Sequence, residues 1–370
     1  MLHPRTSGAR VTDTATLVSV VIPCFNGEGT IRRGIESIFG QTHPNIEIIV
    51  VDDCSKDSTR QILESFGDRI HAIYHPVNRG TAGAYNTGSA AANGRFLLLM
   101  ASDCYLTDPD YIEQGLKHFA DPTVAGVIGQ GVFDNPDRLD TIQRIFTLVN
   151  VLDVVEEHHE DVYEVAFIET RCDLVRKEAL EKIGFWFEGL YNSTEDQDIS
   201  AHMRECGYRL LQDKRMKFSL DFGQTEDNLY KIFKKQYKYA NGQGYIFLRY
   251  GLGHHTMTGD QANRRHRILH RLIQITMAPT VPALLLLSTV SQTAGAILAG
   301  IVVTRIVHYW NSADGLLTGM NRLFGAVIGV GCDVTYGSSF LASLVTWTLK
   351  DPSIVRFGKP AAAGPARSRM

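Results

Sequence analysis

The stretch VSVVIPCFNGEGTIRRGIESIFGQTHPNIEIIVVDDCSKDST, residues 18–59, sets two short apolar runs on either side of one helical pattern. Residues 18–23 and 46–51 are rich in Val and Ile and have the length of buried strands, while 30–39 has the length of a crossover helix. The second run goes from Ile48 to Val51 straight into Asp52 and Asp53. Adjacent carboxylates at a strand end repel each other unless a ligand or hydrogen bonds answer the charge. A strand, a helix and a strand closed by acids predict a parallel unit with a site at its carboxyl end.

The rhythm continues through apolar runs at 69–74, 95–101 and 124–129, separated by helical segments at 57–66, 81–92 and 108–119. It predicts an α/β fold with a mostly parallel central sheet. Polar residues gather where its strands end: Asn26 and Glu28, Asp52 and Asp53, Asn78 and Gly80, Ser102 and Asp103. One such carboxylate can accept from a base N–H or a ribose hydroxyl, and another can hold a divalent cation that bridges a diphosphate. The segment NRGTAGAYNTG, residues 78–88, has neither the GxGxxG nor the GxxxxGK spacing. Its small residues serve either close helix–sheet packing or close approach of backbone to a ligand.

A formal net charge of -3 provides no basic field, so nucleic acid is not an expected partner. The six cysteines form no CxxC pair, which favours reduced thiols in a cytoplasmic setting. Cys24, Cys54 and Cys104 each follow a strand and read first as small hydrophobic packers. The adjacent pairs His158/His159 and His254/His255 point in different directions on any regular element and read as polar surface. Residues 1–16 are polar, lack the apolar centre of a signal peptide and read as a flexible arm.

With its QT after the first helix and its DD-x-S, residues 18–59 resemble the nucleotide-binding half of glycosyltransferase family 2. These are inverting, nucleotide-sugar-dependent enzymes of GT-A fold, and the likeness extends over about residues 18–250. The resemblance implies that Pro23 and Phe25 line a base pocket, Glu28 helps hold the nucleoside and Asp53 reads the base edge. Asp52 beside it would be partly structural. It further implies that Asn78, Gly80, Asn86 and Ser102 belong to a UDP- or GDP-sugar site, and that Asp103 holds Mg2+ or Mn2+. Two positions depart from the family pattern: Ala101 stands where a first acid is common, and Tyr85 where an arginine is frequent, with Arg79 as a substitute cation.

Residues 168–210 resemble the family's acceptor half: a strand, a short RKEAL helix, a turn at Gly184, then EDQD opening a helix that ends at Gly207. Through the resemblance Asp196 is the general base, a role for which one carboxylate suffices in inverting transfer. The plain alternative is that Glu195, Asp196 and Asp198 favour a helix N-terminus. A catalytically silent sugar-nucleotide-binding subunit is the rival function, made plausible by Ala101 and Tyr85. A nucleotidyltransferase would need a basic, Gly-rich loop after the first strand, and PCFNGEGTI supplies Glu28 instead.

The segment YKIFKKQYKYANGQGYIFLRYG interleaves lysines with aromatics, as a basic amphipathic helix near a membrane surface does. Gln236 matches the first position of a QxxRW motif whose Trp is absent, so processive polymerisation is not inferred. No charged residue occurs from Leu272 to Thr304, and 280–303 has the length of a membrane-crossing helix with a basic, cytoplasmic flank at 264–271. A second run, 323–349, contains Asp333 and several glycines and reads as a poorer span or an interfacial segment. The expected organisation is a flexible arm at 1–16, a catalytic domain at 17–250 divided near 130, a membrane-associated helical region at 262–350 and a disordered tail at 351–370. The expected partners are a nucleotide sugar, a glycan or lipid-linked acceptor and a membrane, with the catalytic domain on the cytoplasmic side of the cell membrane.

Overall fold

The computed structural model describes residues 16–132, 140–150, 160–186, 188, 194–220, 228–250, 261–289, 291–313 and 317–350. The tail, the two histidine pairs, residues 1–15 of the arm and the side chains of the basic cluster at 264–271 lie outside the described residues. The chain divides into two compact units, one built from residues up to 132 and from 160–220, the other from 140–150 and 228–350.

The first unit begins with β1 (Val18–Cys24), α1 (Ile31–Phe39), β2 (Ile46–Asp52), α2 (Thr59–Glu64), β3 (His71–Tyr74), α3 (Gly80–Ala91) and β4 (Phe96–Met100). Each strand and helix falls on the apolar run or helical pattern that predicts it. Ile31, Ile35 and Ile38 give α1 one apolar face, and all three are buried. In α3 the small residues serve packing: a Cβ on Gly88 would meet Val21 Cγ1 at 2.4 Å. Helix and sheet therefore approach more closely there than any side chain allows.

The unit continues with β5 (Cys104–Leu106), α4 (Tyr111–His118), β6 (Val124–Val132), β7 (Val162–Glu164), β8 (Cys172–Arg176), α6 (Lys177–Ile183), α7 (Glu195–Glu205) and β9 (Arg209–Leu220); α5 (Thr141–Asn150) belongs to the second unit. Among the described residues the sheet has nine strands in the order β3-β2-β1-β4-β8-β6-β9-β5, with β7 paired to β9. The first four are parallel, whereas β8 runs antiparallel to both neighbours and β5 and β7 antiparallel to β9. The sheet expected to be mostly parallel is thus mixed, because strand and helix cease to alternate after β4. The sequence reading missed β9, whose register with β6 shifts between Gly129 and Gln130 and whose Asp213 is buried against Arg215 and His118.

The second unit comprises α5, α8 (Leu229–Tyr250), α9 (Gln261–Ser288), α10 (Gln292–Ser312) and α11 (Gly319–Lys350). α8, expected within the catalytic domain, groups here because its small residues meet α11: a Cβ on Gly244 would collide with Ser343 Oγ. The single span expected at 280–303 is also corrected. α9 ends at Ser288, and Ser291 opens α10 by accepting from the Ala294 N–H. α10 and α11 are long and apolar enough to cross a bilayer, so the second run is one continuous helix.

Polarity in this unit is arranged inside out. Val303, Val307, Val345 and Leu349 are exposed, while Asp333 is fully buried. Asp333 accepts from Gln274 Nε2 at 3.0 Å, Tyr309 Oη at 2.8 Å and Arg305 Nε at 2.8 Å, which ties α9, α10 and α11 together. Removing one member leaves a buried charge unanswered, whereas replacing both with apolar side chains does not. Arg305→Met and Asp333→Leu are each expected to destabilise the detergent-solubilised protein by about 3 kcal/mol. The double variant should lose less than either, as thermal unfolding will show.

Candidate active site

The loops after β2 and β3 are locked by one carboxylate. Asp53 is buried, and its Oδ1 lies 2.7 Å from His75 Nδ1 while accepting from the Arg79 N–H at 2.8 Å. Its Oδ2 accepts from the N–H of Gly80 at 2.7 Å, where a φ of +75° suits glycine. Asn78 adds a bond from its side-chain nitrogen to the Asp53 carbonyl and accepts from the Gly80 N–H. A carboxylate has roughly four acceptor positions, so Asp53, expected to read the base edge, is already mostly committed to its own loops.

Asp52 is placed differently. It sits in register between Cys24 and Tyr74, and its Oδ1 accepts from the Ser55 N–H at 3.0 Å. Its negative charge acts on both neighbours, although burial is the larger cause that pushes the Cys24 thiol up to about 12 and raises Tyr74. Phe25, half exposed, and Pro23, partly buried, adjoin this strand end as a pocket wall would. Glu28 accepts from the Ser58 N–H at 2.9 Å, and Asn26 accepts from the Lys56 N–H at 2.8 Å. Both residues therefore staple the loop after β1 to the loop after β2.

Two positions on α3 join it to Thr170 and to the segment at Trp186 and Glu188. Tyr85 is fully buried, stacks on Trp186 and donates to the Thr170 carbonyl at 2.6 Å. Asn86, expected in the donor site, exchanges two hydrogen bonds with the backbone of Trp186 and donates to Glu188. Arg79, the expected substitute cation, is held by Glu188 at 2.7 Å and by Thr87 at 3.1 Å.

After β4 the polypeptide turns through Ser102 and Asp103. Asp103 is exposed, and Ser102 contacts the Cys24 thiol. Among the described residues no group of three or more His, Cys, Asp or Glu side chains could hold a metal. An exposed lone carboxylate fits a hard cation that takes its remaining ligands from phosphate and water. It does not fit a cation held in an all-protein cage.

Asp196 is partly buried in the first turn of α7, following Thr194 in a left-handed conformation. Burial, then the negative charge of Glu195, hold its carboxyl well above the usual carboxylate range, against the N–H of Gln197 that donates to it. The segment 168–171 lies between this helix and the turn bearing Asp103. Ile168 donates to Ser200 on α7, and the Arg171 carbonyl accepts from the Ala101 N–H at 2.7 Å. Beside it, burial and then Glu169 keep the Asp173 carboxyl well above the carboxylate range. His75, Glu169, Arg171 and Trp186 escaped the sequence reading. Only His75 had a positional signal, standing at a strand end three residues before Asn78.

Residues 19–184 match the family model described as glycosyl transferase family 2. Over 96 residues the chain is 40% identical to the putative teichuronic acid biosynthesis glycosyltransferase TuaG of Bacillus subtilis, covering 25% of this chain and 38% of that protein. Over 88 residues it is 42% identical to the Escherichia coli UDP-Glc:alpha-D-GlcNAc-diphosphoundecaprenol beta-1,3-glucosyltransferase WfgD, covering 24% and 35%. The chain thus spans little more than a third of the length of these relatives. The mannosyltransferase PcManGT of Pyrobaculum calidifontis, solved with GDP-Man and Mn2+, superposes with a TM-score of 0.56 at 18% identity over 90% of this chain and 89% of that one. This places the first unit on the GT-A fold, and within it residues 19–184 match glycosyl transferase family 2.

Proposed function

We propose that this chain is a membrane-associated, inverting glycosyltransferase that moves a sugar from a UDP- or GDP-sugar to a hydroxyl of a glycan or lipid-linked acceptor. The observation that carries the reading is a contrast between two carboxylates. Asp103 is exposed after β4, while Asp196 is partly buried with a raised proton affinity, and segment 168–171 is bonded to both neighbourhoods. Acids in such different environments suit different tasks.

Asp196 takes the proton of the acceptor hydroxyl as its oxygen attacks the anomeric carbon. The bond from that carbon to the diphosphate breaks, the electron pair leaves with the nucleoside diphosphate, and configuration inverts. Mg2+ or Mn2+ held by Asp103 supplies positive charge to the diphosphate when bound. Asp52, rather than the committed Asp53, reads the base, between Phe25 and the Tyr74 side of the sheet edge. The substrates named for similar proteins, UDP-glucose with a diphosphoundecaprenol-linked sugar for WfgD and GDP-mannose for the structural neighbour PcManGT, support these donor and acceptor classes. The apolar exteriors of α10 and α11 support membrane attachment, and the cytoplasmic side is the side on which the donor domain is proposed to lie.

The reading is tested by release of nucleoside diphosphate from UDP- and GDP-sugars by detergent-solubilised protein given lipid-linked acceptors. Asp103→Ala and Asp196→Asn should each lower turnover at least about a hundredfold. Wild-type protein that binds donor yet releases nothing would replace this reading with a silent binding subunit.

The raised proton affinity of Asp196 sets the sign of the pH dependence. Only the ionised carboxylate accepts a proton, so activity should fall on acidification at a pH above the ordinary carboxylate range. In Glu195→Gln a neighbouring negative charge is gone, ionisation of Asp196 becomes easier, and the acid limb of kcat/KM should move to lower pH. An unmoved limb would remove Asp196 as the titrating base.

A further inference from the structure

The segment 168–171 carries an arginine that neither the sequence reading nor the mechanism above uses. Its backbone is fixed from several sides. Thr170, at φ +52°, donates to Asp173 Oδ2 and accepts from the Tyr85 hydroxyl, and the Arg171 carbonyl accepts from the Ala101 N–H. Arg171 therefore starts beside the turn that bears Asp103. Its side chain remains 42% exposed, with Nε 3.1 Å from Glu169 Oε2. Its guanidinium thus sets a positive charge near the turn that bears Asp103.

The donor side has a use for such a charge. A leaving diphosphate beside one metal-holding carboxylate needs further cations, and Arg79 is engaged with Glu188 and Thr87 while Tyr85 is buried in packing. A guanidinium carries five N–H donors in a planar fork that matches phosphate oxygens, and the ion pair with Glu169 orients it.

We propose that Arg171 binds the diphosphate of the donor beside Asp103, with Glu169 holding the guanidinium toward it. This assignment rests on the transferase reading and adds to it a residue that distinguishes nucleoside diphosphate from monophosphate. Arg171→Gln leaves the backbone bonds of the segment intact and removes only the fork and its charge. Arg171→Lys keeps the charge and loses the fork.

The test is calorimetric binding of UDP, UMP, GDP and GMP to the full-length, detergent-solubilised protein with Mn2+, for wild type, both variants and a distant control, Lys117→Gln. Arg171→Gln should weaken binding of the preferred diphosphate about ten- to a hundredfold and leave its monophosphate within about twofold. Arg171→Lys should fall between, and Lys117→Gln should match wild type. Equal weakening of both nucleotides by Arg171→Gln, or no weakening, would overturn the assignment to Arg171 alone. Wild-type protein that binds none of the four would overturn the transferase reading, and this inference with it.

Discussion

Everything at the site depends on the buried carboxylate of Asp53. An anion out of contact with water is tolerable only when hydrogen-bonded, and here backbone N–H groups of Arg79 and Gly80 and the ring of His75 meet it. The bond to Gly80 holds the first residue of α3 to the end of β2. From α3, Tyr85 reaches Thr170 and Asn86 reaches Trp186, and from the neighbouring Arg171 a backbone bond returns to Ala101, next to the turn with Asp103. One charged group thus organises the loops after β2 and β3, and α3 links them to Thr170 and Trp186.

This division of labour explains why two adjacent acids follow an apolar strand. Successive residues leave a strand in opposite directions, so Asp52 and Asp53 cannot share a role. Asp53 turns into the loops and holds them. Asp52, equally buried, ends β2 in register with Cys24 and Tyr74, with one oxygen tied to the Ser55 N–H. Burial raises the thiols of Cys24, beside Asp52, and of Cys104, beside Asp103, which makes both poor nucleophiles.

Much of this was legible in the sequence because period and length are local properties. The runs at 18–23, 46–51 and 95–101 became β1, β2 and β4, and the ends at Gly184 and Gly207 fall where φ is positive. What was not legible depends on tertiary contacts. That Asp53 is held by its own loops turns on residues some 25 positions away, at Arg79 and Gly80. β9 hides behind charges such as Asp213, which is answered by His118 and Arg215 in the fold. The uncharged run from Leu272 to Thr304 hides a break between α9 and α10, because hydropathy alone does not see the cap at Ser291. In the C-terminal helices Asp333 weakened the reading of a span, yet its three partners on α9 and α10 make it an internal tie.

The most direct measurement is an experimental structure of the protein with UDP or GDP and Mn2+. The base should lie against Phe25 with its N–H edge toward Asp52, while Asp53 keeps its bonds to His75, Arg79 and Gly80. A base hydrogen-bonded to Asp53, with those loop bonds released, would contradict the roles assigned to the two acids.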